Sequence, residues 1–406
     1  MIRISKRAAG IQPSPTLAIT AKAKRLKAEG KDVVGFGAGE PDFDTPDHIK
    51  DAAIAALRAG FTKYTPSAGT DDLRAAIAAK LGRENGIEVA AAQVVVSNGA
   101  KHSLQNIFAA LLNDGDEVII PAPYWVSYPE MVKLAGGVPV IVDTLEEDQF
   151  RLNARVLERM CSPRTRVLVL CSPSNPAGTM YHEADLRALL EVVVKKDLCV
   201  VSDEIYEKLV YGGAKHVSFA SLSKEALART ITVNGLSKAY SMTGWRLGYA
   251  AGPVEVMKAI DNLQSHAASN PVSFAQKGGT AAVTGPQDAV EAMRKEFGER
   301  RDVMVHALRA IPGVTCVEPE GAFYCFPNIS AYFDMQINGR TVRNSTDFAA
   351  LLLEEELVAV VPGVDFGAPD HVRLSYATDR GSIVKGLERL TAFCAKLKPQ
   401  QAAALA

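Results

Sequence analysis

Two hydrophobic periods alternate between residues 45 and 295, and this alternation constrains the chain more than any other feature. Short apolar runs rich in β-branched residues recur there: "QVVVSN" (93–98), "EVIIP" (117–121), "VPVIVD" (138–143), "RVLVLCSP" (166–173), "CVVSDE" (199–204), "TITVNG" (230–235) and "RLGYAAG" (246–252). Helical-period segments such as "DDLRAAIAAKLGREN" (71–85) and "EADLRALLEVVVKKD" (183–197) fall between several of them. A strand that is apolar on both faces must be covered on both faces. Strands separated by helices therefore imply an α/β fold with a mostly parallel sheet between two helical layers.

From about residue 296 the texture changes. A long charged helix over "EAMRKEFGERRDVMVHALRAI" ends before Pro312 and Gly313. It is followed by "VTCVEPEGAFYCF", a helix over "STDFAALLLEEEL", strands at "VAVVPG" and "HVRLSYA", and a closing helix. This is the pattern of an α+β module, and the N-terminal segment is expected to join it. The expected division is a large domain over 45–295 and a smaller one made of 1–44 plus 296–406.

With 48% hydrophobic and 22% charged residues over 406 positions, the chain has ample material for such cores. Its 45 basic and 46 acidic residues leave a net charge of −1, which argues against a nucleic-acid surface. Six cysteines (Cys161, Cys171, Cys199, Cys316, Cys325 and Cys394) form no CxxC pair and no metal-type spacing, so reduced thiols and no metal are expected, with Cys171 and Cys199 buried. No apolar run reaches the length of a membrane span, and "MIRISKRAAG" lacks the apolar stretch of a secretion signal. A cytoplasmic protein without membrane partners is the expectation. "GFGAGEPDF" carries a Gly-x-Gly-x-Gly, but no strand-to-helix context and no acidic residue about 20 positions on support a dinucleotide site.

In an open parallel sheet, ligands bind beyond the carboxyl ends of the strands. The polar residues that stand there are the candidates for chemistry. "VVVSN" is followed by Gly99, Ala100 and Lys101 at the start of a helix, and "VLVLCSP" by Ser174, Asn175 and Pro176. "CVVS" leads into Asp203, Glu204 and Tyr206, and "TITVNG" into Ser237 and Lys238, with Arg246 eight residues later. Each signal alone is weak: Asp203 suits a helix cap, Tyr206 a core position, and Lys238 a solvated surface.

Together they fit pyridoxal phosphate. Its aldehyde needs a lysine amine, its ring nitrogen a carboxylate, its phenolate oxygen hydrogen-bond donors, and its phosphate a helix N-terminus with a cation. Lys238, Asp203, Asn175 with Tyr206, and Gly99-Ala100-Lys101 with Arg246 supply these in turn.

The motifs "SPSNPAG", "VSDEIYEKL", "NGLSKAYSMTGWRLGY" and "VRLSYA" stand in the order seen in class I aminotransferases of the fold-type I pyridoxal phosphate enzymes, and the chain resembles that family over nearly its whole length. The flanking "GAGEPDFDTP", "KYTPSAG" and "PAPYWVSYPEM" are similar to the bacterial aspartate aminotransferase branch. The resemblance implies Lys238 as the Schiff-base residue and proton carrier, and Asp203 as partner of the pyridinium nitrogen. It implies Asn175 and Tyr206 on the phenolate oxygen and Trp125 stacked on the ring. Gly99, Ala100, Lys101, Ser237 and Arg246 would surround the phosphate, and Tyr64 would reach the neighbouring subunit's site in a homodimer. Arg373 would grip the substrate α-carboxylate, with the Gly39 backbone amide beside it.

The reaction implied is ping-pong transamination between L-aspartate and 2-oxoglutarate, with amino acids and 2-oxo acids as the small-molecule partners. Two departures bear on specificity. The animal-type enzymes place an arginine for the distal carboxylate just before their "SNP" motif, and the matching "LQSHAASNP" here has none. In the bacterial branch a lysine at the position of Lys101 and a serine at that of Ser14 take over. That is a more permissive clamp than a bidentate arginine, so aromatic amino acids or prephenate are the alternative substrates. The second departure is Gly235, where other branches carry a phosphate-binding serine. A lyase on the same scaffold, or a cofactor-binding regulator, is the remaining alternative; the regulator would need a basic helix-turn-helix, which this sequence lacks.

Overall fold

The computed structural model describes residues 2–11 and 15–399. Its centre is a seven-stranded sheet built from β1 (Val94–Ser97), β2 (Glu117–Ala122), β3 (Val138–Asp143), β4 (Thr165–Cys171), β5 (Cys199–Asp203), β6 (Thr230–Gly235) and β7 (Gly248–Ala251), in the order β1-β7-β6-β5-β4-β2-β3. Six strands run the same way. Only β7 is reversed, pairing antiparallel with both β1 and β6. The segment between β6 and β7 contains one short 3-10 turn, Thr243–Trp245, and no crossover helix. Without a helix to carry the chain back across the sheet, the returning strand pairs antiparallel.

The two-sided burial read from the sequence is explicit in β4. Val167 and Val169 pack with Leu104, Ile107 and Phe108 of helix α1 (Ala100–Leu111). Leu168 and Leu170 face the opposite layer and pack with Leu186, Leu189 and Val193 of helix α2 (Glu183–Lys195). Alternate residues thus serve alternate layers, as the period of a strand requires. Cys171 and Cys199 are only partly buried, unlike the expectation, because one ends β4 and the other begins β5.

A separate core forms around α3 (Asp288–Arg309), α4 (Ser345–Glu356) and α5 (Arg380–Lys396), with Phe297, Met304, Phe348, Leu352, Ile383 and Phe393 at its centre. It is faced by a small antiparallel sheet of β8 (Tyr324–Cys325), β9 (Val361–Pro362) and β10 (Val372–Ser375), ordered β9-β10-β8. The run "VAVVPG" is two strands rather than one. Val358–Ala359 pairs parallel with Val34–Gly35, and only then does β9 pair with β10. The first pairing ties the N-terminal segment into this core, where Val34 and Phe36 are buried together with Tyr206 and Leu209 from beyond β5. The carboxyl ends of β4, β5 and β6 thus meet β8 and β10.

Candidate active site

Lys238 follows β6 in the helix-free link to β7. Its Nζ donates to the Gly39 carbonyl at 2.5 Å and lies 5.9 Å from the Tyr206 ring centre and 5.8 Å from that of Phe323. Burial pulls its ammonium down to about 8. The Glu40 and Asp203 carboxylates oppose that shift, and the Arg373 and Arg246 guanidinium groups add to it. An amine near neutrality is a nucleophile and a base, whereas a solvated lysine is neither.

Asp203 closes β5 and is 4% exposed. Burial raises its carboxyl to about 6, against hydrogen bonds that favour the charged form. The Tyr128 hydroxyl donates to Oδ2 at 2.6 Å and the Ile205 amide to Oδ1 at 3.3 Å. A carboxylate held this way is suited to a cationic partner, which would restore its ordinary acidity.

Arg373, on β10, is 2% exposed. Its Nη1 donates to Asn175 Oδ1 at 2.9 Å and its Nη2 to the Gly37 carbonyl at 3.0 Å. The guanidinium lies over the Tyr324 ring at 4.4 Å and that of Phe366 at 5.1 Å, and Nε has no partner among the described residues. No carboxylate pairs with it there, so a buried cation of fixed orientation is left for an incoming anion. The Tyr324 and Tyr206 hydroxyls meet at 2.9 Å, which links β8 to the segment beyond β5.

Gly99 adopts φ +88° at the start of α1, whose N-terminus no side chain caps. A Cβ at Gly99 would stand 2.3 Å from Arg246 Nη2, and one at Gly248 2.1 Å from the Ala100 nitrogen. Backbone and guanidinium close on one another here because neither glycine carries a side chain. Arg246 is oriented by donating to the carbonyls of Thr243, at 2.9 Å, and Asn98, at 3.3 Å. Lys101 Nζ sits 4.8 Å above the Trp125 ring, and Trp125 meets Tyr128 edge-on at 5.3 Å. Burial and the nearby Arg246 lower the Lys101 ammonium. Free helix amides beside a guanidinium and an ammonium form an anion cradle that fits a phosphate. The amine, carboxylate and donor set above it fit the rest of pyridoxal phosphate.

The structure therefore brings Lys238, Asp203, Tyr206, Asn175 and Arg373 to one junction. It places Gly99, Ala100, Lys101 and Arg246 in the cradle and buries Ser237 beside Lys238. Gly39 meets Lys238 through its carbonyl. Tyr64 stands apart, 89% exposed, and Ser14 lies outside the described residues. Sequence reading missed Tyr128 and Tyr324. Tyr128 lies within "PYWVSYPEM", but its hydroxyl contact spans 75 positions and that of Tyr324 spans 118, with no local signal for either.

The aminotransferase class I and II family model matches residues 31–390. The chain belongs to that family. It is thus a pyridoxal phosphate-dependent aminotransferase of fold type I, as the motifs implied. It is 54% identical over 97% of its length to an aspartate aminotransferase of Geobacillus stearothermophilus, 99% of which is covered. It is 48% identical to an aspartate/prephenate aminotransferase of Cereibacter sphaeroides, over 98% of this chain and all of that one. Among solved structures, the aspartate aminotransferase of Rhizobium meliloti superposes with a TM-score of 0.95 at 45% identity, covering 98% of this aminotransferase and 100% of that chain.

Proposed function

We propose that this aminotransferase exchanges the amino group between L-aspartate and 2-oxoglutarate, giving oxaloacetate and L-glutamate in a ping-pong cycle. The observation that carries this reading is the convergence of three groups: the half-buried Lys238 amine, and the buried Asp203 carboxylate and Arg373 guanidinium, the latter with no carboxylate partner among the described residues. Identity to aspartate aminotransferases over almost the whole chain supports the substrate.

Bound pyridoxal phosphate supplies an aldehyde for the amine and a ring that takes up electrons from the substrate's α-carbon. Asp203 would hold the proton on the ring nitrogen, with Tyr128 favouring the charged form of that carboxylate and orienting it. Asn175 and Tyr206 would donate to the phenolate oxygen. Trp125 would cover the ring face, and Gly99, Ala100, Lys101, Ser237 and Arg246 would hold the phosphate. Arg373 binds the α-carboxylate through its planar fork, with Gly39 beside it, and fixes the α-hydrogen within reach of Lys238 Nζ. With the cofactor bound, Lys238 Nζ would be placed to take up that proton and later to give one back, as general base and then as general acid. Packing of the Tyr206 and Phe323 rings around Nζ would keep water from the transfer.

Residues 45–295 act as the cofactor-binding domain and 1–44 plus 296–406 as the smaller domain. The functional unit is a cytoplasmic homodimer; the 89% exposure of Tyr64 in its own chain supports the dimer. Mixing Lys238→Ala chains with Tyr64→Ala chains would restore one intact site per hybrid dimer if that holds, and give no gain over the Tyr64→Ala chains alone if it does not. Lys101, together with Ser14 as the resemblance implies, would bind the distal carboxylate. The resemblance to an aspartate/prephenate enzyme and a clamp of one cation support prephenate or aromatic amino acids as a second substrate class. Initial rates with varied aspartate at several 2-oxoglutarate concentrations test the main reading. Parallel double-reciprocal lines support it, and the absence of oxaloacetate would overturn it.

A further inference from the structure

Behind Asp203 lies a buried charged cluster that the proposed reaction does not use. Strand alternation turns Asp203 and Glu204 to opposite faces, so Asp203 faces the site while Glu204, 1% exposed, points away from it. The Glu204 carboxylate accepts from Ser202 Oγ at 2.8 Å, from Ser218 Oγ at 2.5 Å and from His216 Nε2 at 3.0 Å. Glu207, next to Tyr206, accepts from Lys80 Nζ and from Asn85 Nδ2 at 2.5 Å, and Asn85 also donates to Ser218 at 2.9 Å. Glu204, Glu207 and His216 bring their ligand atoms within 4.8 Å of one another, as a metal site would. The Lys80 ammonium on Glu207, and the donors already on Glu204, assign the cluster instead to an ion network, which Lys80 extends to Glu84 at 3.8 Å and Glu84 to Lys208 at 2.8 Å.

We propose that His216 is a positioning residue for the cofactor: by holding a positive charge against Glu204, it keeps a neighbouring negative charge from suppressing the ionisation of Asp203. The inference rests on Asp203 being the partner of the ring nitrogen. Two carboxylates on successive residues, both buried, repel unless one is compensated, and a buried carboxylate without a partner would take a proton. Burial works against a charged His216, and Glu204 and Glu207 outweigh burial, so the imidazole is held above its usual range, with Lys80 acting against it. The groups that act on Asp203 are Tyr128, Cys171, Lys238 and the Ile205 amide, with Glu204 acting through its charge from the opposite face. Of these, Glu204 alone is a carboxylate.

The test is the dissociation constant of pyridoxal phosphate from the cofactor-free protein, measured from pH 5 to pH 9. Binding weakens as pH falls through the titration of Asp203. His216→Gln leaves Glu204 uncompensated and is expected to move that acid limb upward by roughly half a unit or more. Glu204→Gln removes the repelling charge and is expected to move it downward. The double variant is expected to return it close to the wild-type position, which also serves if one single variant fails to fold. A structural role alone would shift both single variants the same way or neither, and either result overturns the proposal. Asp203→Asn is the control. If it leaves the acid limb in place, the assignment of Asp203 has failed rather than that of His216.

Discussion

Arg373 and Asn175, 198 residues apart, hold one another through a 2.9 Å hydrogen bond that points a buried guanidinium at the space in front of Lys238. The planar fork matters more than the charge. Arg373→Lys keeps the cation but loses the bidentate geometry. It is expected to raise KM for aspartate and for 2-oxoglutarate by roughly 10- to 100-fold while cofactor affinity barely changes. Steady-state kinetics and a cofactor titration on the same preparation separate the two effects.

Gly99 is a steric requirement as well as a conformational one. Its φ of +88° disfavours any side chain, and a Cβ would stand 2.3 Å from Arg246 Nη2. Gly99→Ala is expected to displace Arg246 and raise the dissociation constant of pyridoxal phosphate about tenfold or more, or about 1.4 kcal/mol of binding. Unchanged affinity would rule out the cradle as the phosphate site.

Lys238 costs the cofactor-free protein stability. Burial brings its ammonium to about 8, below the ordinary lysine value of about 10.4. Between those values the unfolded chain holds a proton that the folded chain has released, so stability contributed by this group rises with pH across that window. Below about 8 the buried charge carries its full desolvation penalty. Lys238→Met is therefore expected to raise the Tm of the cofactor-free protein at pH 7, with the gain fading as pH approaches 10. Thermal melts at both pH values check the sign.

Lys101 sits over Trp125 beside the site and is the cation assigned to the distal carboxylate. Lys101→Met is expected to reduce kcat/KM for aspartate more than for phenylalanine, by roughly tenfold in the ratio. An equal loss on both would assign Lys101 to the cofactor alone.

The strand ends were legible because chemistry and local pattern coincide there. Lys238, Asp203 and the Gly99–Lys101 turn each follow an apolar run that ends at the sheet's carboxyl edge. Their supports were not legible. Tyr128 reaches Asp203, Tyr324 reaches Tyr206, and His216 reaches Glu204 through contacts set by how layers pack, and a buried tyrosine or histidine looks like core in sequence. The reversed β7 was hidden for a related reason. A strand's apolar pattern is the same in either direction, and only the missing helix between residues 236 and 247 marks the turn. Glu204 beside Asp203 was visible as "SDE", but alternation sends them to opposite faces, and only the fold shows what waits on the other side.

The most direct measurement of the central claim is the half-reaction. The purified holoenzyme is mixed separately with aspartate, glutamate, alanine, phenylalanine and tyrosine, and the cofactor absorbance is followed from its aldehyde to its amine form. Fast conversion by aspartate and glutamate, slower conversion by the aromatic amino acids and little by alanine is the predicted result. No conversion by aspartate, with the cofactor bound and coloured, would contradict it.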